Sequence, residues 1–123
     1  MININIKSTK FNMTPDIKDL IQEKINLVEK FINLKEQEEV FADVEIFRSS
    51  HHKKGEIFKC EINLRFKGRV FRVVSKDYDI RIAIEDARSE LEKQIRRGKG
   101  KRFDVFKKGA RKLKELIRRE NNE

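Results

Sequence analysis

Five cations fall within residues 96–102, at Arg96, Arg97, Lys99, Lys101 and Arg102. Guanidinium and ammonium donors at that density neutralise phosphates, and each phosphate neutralised releases counterions and adds salt-dependent affinity for a polyanion. The excess is local: residues 1–95 hold 18 Lys or Arg against 17 Asp or Glu, whereas residues 96–119 hold 12 against 2. A solvated tail, with Arg96 and Arg97 stabilising a helix C-terminus, would account for two of these charges but not for the whole set. Nucleic acid is therefore the first expected partner and an anionic membrane the second. Arg81 and Arg88, two helical turns apart, border an apolar helix face and extend the positive stripe. Base stacking has fewer candidates: most phenylalanines alternate inward, leaving Phe47, Phe103 and Phe106.

Other chemistries find little support. His51 and His52 are the only histidines, and neighbours in a strand point to opposite faces, so a shared metal is not expected. Cys60 is the only cysteine and sits at an apolar-alternating position, the place of a buried thiol without a disulfide partner. Glu85, Asp86, Glu90 and Glu92 lie beside Arg88 and Lys93 at helical spacings that ion pairing explains. Gly98 and Gly100 follow a helix instead of opening one, so they make no phosphate-cradling loop, and no nucleophile stands at a recognisable spacing from a base. Neither enzyme activity nor a cofactor is expected. No run approaches the ~18 apolar residues of a membrane span, and the alternating N-terminus lacks a signal-peptide core, which points to the cytosol.

The elements that position the tract follow from periodicity. A chain of 123 residues, 41% charged and 37% hydrophobic, suits one domain with a modest core plus charged material outside it. Ile2, Ile4 and Ile6 alternate as a strand with one buried face. Thr14-Pro15-Asp16 begins a helix, with the Thr14 hydroxyl placed to cap it, and Ile17, Leu20, Ile21, Val28, Phe31 and Ile32 carry its apolar face to about residue 33. Strands follow over 41–49, 56–66 and 69–75, separated by a turn at 49–56 and a tight hairpin turn at Lys67-Gly68. Ile80, Ala83, Ile84, Ala87, Leu91, Gln94 and Ile95 form one face of a helix ending near Arg97. The order β-α-β-β-β-α implies an α+β fold, a four-stranded sheet with two helices packed on one face. Ile4, Leu20, Val28, Ile62, Leu64, Ile84 and Leu91 are the expected core. Residues 1–97 form the domain and 98–123 a basic, partly helical tail beyond the packed helix.

These residues in this order resemble the ribosome hibernation promoting factors, also called ribosome-associated inhibitors or ribosomal subunit interface proteins. The resemblance rests on the opening strand, on the helix from Thr14-Pro15-Asp16-Ile17 to Glu29-Lys30-Phe31, and on Asp79, Ala83, Ile84 and Leu91-Glu92-Lys93-Gln94-Ile95-Arg96-Arg97 in the second helix. It covers about residues 1–102. It implies a protein that occupies the decoding region of the small ribosomal subunit, overlaps the messenger and transfer RNA sites and stops translation under stress. Carried over by position, ribosomal RNA contacts fall on Lys24, Lys93, Arg96 and Arg97; charge adds Lys99, Lys101 and Arg102 to them. The family's usual tyrosine is Arg81 here, and its basic residue before Leu-Glu is Glu90. Long members carry a second, dimerising domain for which this chain lacks the length, so a monomer off the ribosome is expected. Two alternatives remain: a double-stranded RNA-binding module, though Asp77 and Asp79 stand where such domains usually carry lysines, and a module whose basic amphipathic tail binds a protein groove or membrane surface.

Overall fold

The computed structural model describes residues 2–32, 39–52, 55–98 and 101–102, the side chains of 50–52 and 101–102 excepted. Strand β1 (Ile2–Thr9) leads to helix α1 (Pro15–Val28), and three further strands follow, β2 (Val40–His52), β3 (Gly55–Phe66) and β4 (Arg69–Asp77). Helix α2 (Ile80–Arg96) then runs back over the sheet, and a two-residue strand, β5 (Lys101–Arg102), closes the order. The sheet runs β1-β2-β3-β4-β5; β1 is parallel to β2 and every other pair is antiparallel. A helical crossover joins the parallel pair, as parallel strands require, while hairpins join the meander.

Alternation decides which face is covered. Val40, Ala42, Val44 and Ile46 of β2, Cys60, Ile62 and Leu64 of β3, and Phe71 and Val73 of β4 are all buried on one face of the sheet. Both helices lie there. α1 contributes Ile17, Ile21, Ile25 and Val28, and α2 contributes Ala83, Ile84, Ala87, Leu91 and Ile95. The alanines of α2 let its backbone approach the sheet, and Leu91, fully buried, fills the space beside them. The opposite face carries Asn5, Asp43, Glu45, Lys59, Glu61, Asn63, Arg65 and Arg72, none of them buried. It is held by cross-strand pairs, Arg65 to Asp43 at 3.1 Å and Arg72 to Glu61 at 3.2 Å.

Several local expectations change. α1 ends at Val28 and tightens into a 3-10 turn, Glu29–Phe31, after which Ile32 is extended; residue 33 lies outside the described residues. The Thr14 hydroxyl makes no cap bond to the helix. The Asp16 carboxyl is held below its usual range, first by the Thr14 hydroxyl and then by backbone N–H groups. β2 continues through the histidines, because His52 pairs with Gly55 beyond a register shift after Ser49. Ile4 and Leu20 are half-buried against the core instead of within it: β1 is an edge strand with a neighbour on one side only, and Leu20 lies on the flank of the Ile17–Ile21–Ile25 stripe. Val28, Ile62, Leu64, Ile84 and Leu91 are buried. Lys67 and Gly68 turn the β3–β4 hairpin with φ of 53° and 70°, the left-handed pair a two-residue hairpin loop of type I′ requires.

The α2 termini explain two sequence features. At its start the Asp79 carboxylate accepts from the Arg81 N–H at 2.8 Å, and the Asp77 carboxylate accepts from the Asp79 N–H at 2.8 Å. At its end Gly98 takes φ +65° and its N–H donates to the Ile95 carbonyl at 3.0 Å, the left-handed stop that reverses the chain. The reversal returns Lys101 and Arg102, which the sequence pattern places in the tail, to the sheet edge opposite Val70 and Arg69.

The core sets two expected outcomes. Leu91→Ala should cost about 2–5 kcal/mol, as for other large apolar side chains removed from a packed interior, read as a shift in the denaturant midpoint. Burial pushes the Cys60 thiol from 9.0 up to about 12, with Glu61 adding to it. The folded state thus keeps a proton that the unfolded chain releases; the stability this contributes is present below about pH 9 and lost as pH rises toward 12. Denaturation across that window should show the wild type losing stability more steeply than Cys60→Val, and Cys60 should resist thiol reagents until the chain unfolds.

Candidate nucleic-acid interface

The helix reversal at Gly98 gathers cations from four parts of the chain at one end of the domain. Arg96 and Arg97, both exposed, occupy the last turn and cap of α2, where unsatisfied carbonyls favour positive charge. β5 sets Lys101 opposite Val70 and Arg102 opposite Arg69. Lys67 sits in the hairpin turn that precedes Arg69. From the 3-10 turn after α1, the Phe31 ring takes the Lys30 ammonium at 5.2 Å and the Arg96 guanidinium at 5.8 Å from its centroid. That shared ring ties the end of the first helix to the end of the second.

Of the residues expected to contact RNA, Arg96, Arg97, Lys101 and Arg102 come together here, while Lys99 lies outside the described residues. Lys30, Lys67 and Arg69 join them, and the sequence pattern singles out none of the three. Lys30 has the spacing of the wet side of a helix and Lys67 that of a turn residue; only strand pairing brings Arg69 beside the tract.

Lys24, Arg81, Arg88 and Lys93 lie elsewhere, on the helix layer. The Lys24 ammonium pairs with the Glu85 carboxylate at 2.9 Å, bridging the two helices. That hydrogen bond, aided by Arg88, holds the Glu85 carboxyl below its usual range. Arg88, its side chain only 17% exposed, bonds Glu85 and also reaches Glu92 at 2.7 Å. Burial opposes its charge, but the two carboxylates outweigh that and raise its pKa. Arg81 reaches Asp16 of α1 at 3.3 Å. Lys24 and Arg88 would have to give up a partly covered carboxylate to meet a phosphate, whereas the exposed pair of Arg81 with Asp16 has little strength to lose. Lys93 is exposed on the outer side of α2.

The cleft beside α2 does not compete with this end for a phosphate. An open cavity of about 510 Å³ runs between α2 and the edge of β4, lined by Arg72, Ser75, Asp86, Glu90 and Gln94 among others. Its two carboxylates disfavour a phosphate, and Gln94 spends an amide N–H on the Arg72 carbonyl at 3.4 Å. Among the described residues no group of three His, Cys, Asp or Glu side chains is placed to hold a metal, and no helix is long and apolar enough to cross a membrane.

The fold recurs in solved structures. The N-terminal domain of Protein Y from Thermus thermophilus superposes with a TM-score of 0.67 at 23% identity, over 79% of this chain and 99% of that one. A ribosomal subunit interface protein from Coxiella burnetii gives 0.58 at 13% identity, over 80% and 98%. No match is found among curated protein sequences. The family model described as sigma 54 modulation protein / S30EA ribosomal protein matches residues 4–102, from the opening strand to the last residue of β5. Since that span takes in every element of the fold, the chain belongs to the sigma 54 modulation protein / S30EA ribosomal protein family, the family of the hibernation factors it resembles.

Proposed function

We propose that the protein binds the small ribosomal subunit in the cytoplasm and inhibits translation there, occupying the decoding region through ribosomal RNA and blocking the messenger and transfer RNA sites. The observation that carries this reading is the cationic end built by Arg96, Arg97, Lys101 and Arg102 with Lys30, Lys67 and Arg69 on a domain of this family. One of its structural relatives is described as a ribosomal subunit interface protein, which supports the same partner. The mechanism is steric: a rigid sheet with a dense positive pole fills a site lined by phosphates, and nothing is turned over. Lys24 serves this reading indirectly: its bond to Glu85 joins α1 to α2, with Arg88 holding Glu85 in place from within α2.

A double-stranded RNA module is less well supported. The residues at the start of α2 that would meet phosphates are Asp77 and Asp79, and both carboxylates are engaged in capping.

Changing Arg96, Arg97, Lys99, Lys101 and Arg102 together to Ala should leave the fold intact, since the buried stripe of α2 ends at Ile95 and the helix stop at Gly98 is unchanged. The slope of log affinity for small subunits against log salt should fall by up to about four units, at roughly 0.7–0.9 for each phosphate that is no longer neutralised. An unchanged slope in cosedimentation would assign this end to ordinary solvated surface. In a translation assay the purified protein should inhibit in proportion to ribosomes, reaching completion near one copy per ribosome. Inhibition at strongly substoichiometric amounts would mean catalysis and defeat the steric reading.

A further inference from the structure

The sheet face that the helices leave open carries a second cationic cluster at the opposite end of the domain. Strand register sets Thr9, Phe47, Lys59 and Lys76 in one row across β1, β2, β3 and β4. Lys59 and Lys76 are therefore direct cross-strand neighbours, a like-charge pairing that costs stability. Lys10, just past β1 with φ of 56°, adds a third cation, and Arg48, whose register position opposite Phe58 belongs to the other face, lines the rim. With Ser49 and Ile57 these residues line an open cavity of about 370 Å³ whose lining holds no carboxylate.

The nearest acids are turned to other work. Glu45 accepts the Thr9 hydroxyl at 2.7 Å. Glu61 takes Arg72 at 3.2 Å and Asn63 at 3.3 Å. Glu56 approaches Arg48 only at 3.9 Å, between side chains 42% and 50% exposed, where screening leaves such a pair little strength. The Phe47 ring is half-buried within the patch, with the Lys59 ammonium 4.3 Å from its centroid. Cations, an aromatic ring, an apolar neighbour and the Ser49 hydroxyl in one shallow groove match a sugar-phosphate backbone with a base laid against the ring. A membrane surface would call for a protruding apolar edge in place of a concave basic one.

We propose that this groove, formed by Lys10, Phe47, Arg48, Lys59 and Lys76, is a second contact for single-stranded RNA, so that the domain bridges two RNA segments from its two ends. From Lys59 to Phe66, the partner of Arg69, β3 advances by about 23 Å at ~3.3 Å per residue. That is well over the Debye length of ~8 Å at physiological salt, so the two ends act as separate electrostatic sites. The like-charge row at Lys59 and Lys76 is kept at a cost to the free protein that bound phosphate removes. The inference rests on the ribosome reading for the identity of the polyanion, but its test does not need ribosomes.

The probe is a labelled oligouridylate of about ten nucleotides, within the usual span of a single-strand site, added to the full chain. The wild type should capture this labelled strand while held on a second, immobilised oligouridylate. Lys10→Gln, Arg48→Gln, Lys59→Gln and Lys76→Gln combined should abolish capture and lower the salt slope by up to about three units, at ~0.7 per single-strand phosphate. Phe47→Leu should weaken binding by roughly 5- to 160-fold, the range for one stacked base. Lys59→Gln alone should weaken RNA binding while holding or raising the melting temperature, because it relieves the like-charge pair; Lys59→Arg should restore binding. Unchanged capture and slope in the fourfold variant would overturn the groove, and so would a loss confined to phosphatidylserine vesicles. Ribosome cosedimentation separates the two readings: capture without cosedimentation keeps the groove and removes the ribosome, whereas cosedimentation unaffected by the fourfold variant, with capture intact, does the reverse.

Discussion

The stripe of α2 pressed on β3 and β4, Ala83, Ile84, Ala87, Leu91 and Ile95, is the contact on which the rest of the molecule depends. The small residues bring the helix close and the large ones close the gap against Cys60, Ile62, Leu64, Phe71 and Val73. Apolar burial of this kind is non-directional, so it settles that the helix lies on the sheet but not at what angle or depth. The directional work falls to the ends. Asp79 caps the start, and Gly98 stops the last turn with a carbonyl bond to Ile95. With both ends set, the chain leaves α2 aimed back at the sheet.

That exit converts a run of charge into a surface. Cations in an unanchored tail would sample many arrangements and contact a polyanion only after the ordering entropy had been met. Pairing Lys101 and Arg102 with β4 orders part of the run beforehand and adds Arg69 and Lys67 from a hairpin already rigid. Phe31 completes the arrangement from the other helix by holding Lys30 and Arg96 over one ring. Charge that looked linear along the chain is three-dimensional in the fold.

The helix layer and the open sheet face treat their charges differently. Between the helices, Lys24, Glu85, Arg88 and Glu92 form a network with Arg88 largely covered, where partial burial makes each pair stronger than it would be in water. On the open face Arg65 and Arg72 are matched to Asp43 and Glu61, while Lys59 and Lys76 are set against each other. Matched pairs hold the strands together. Mismatched cations at Lys59 and Lys76 mark where an anion would be welcome.

Element types and their order were legible in the sequence because period is local. Ile2, Ile4 and Ile6 alternate, α2 repeats at three and four, and Lys67-Gly68 announces its turn, each within a handful of residues. The family resemblance rested on the same local patterns, and the family match covers residues 4–102. What the tertiary structure decided was which cations are neighbours and which are already spent. Arg81 and Arg88 have the spacing of a basic stripe, yet Asp16 is 65 positions from Arg81 in the chain and only folding brings their side chains to 3.3 Å. Lys59 lies within the strand expected over 56–66 and Lys76 just past the one expected over 69–75, and only the register sets them side by side. Periodicity tells a residue which face it belongs to; distance along the chain says nothing about charge partners, because Coulomb energies depend on separations that only the assembled fold defines.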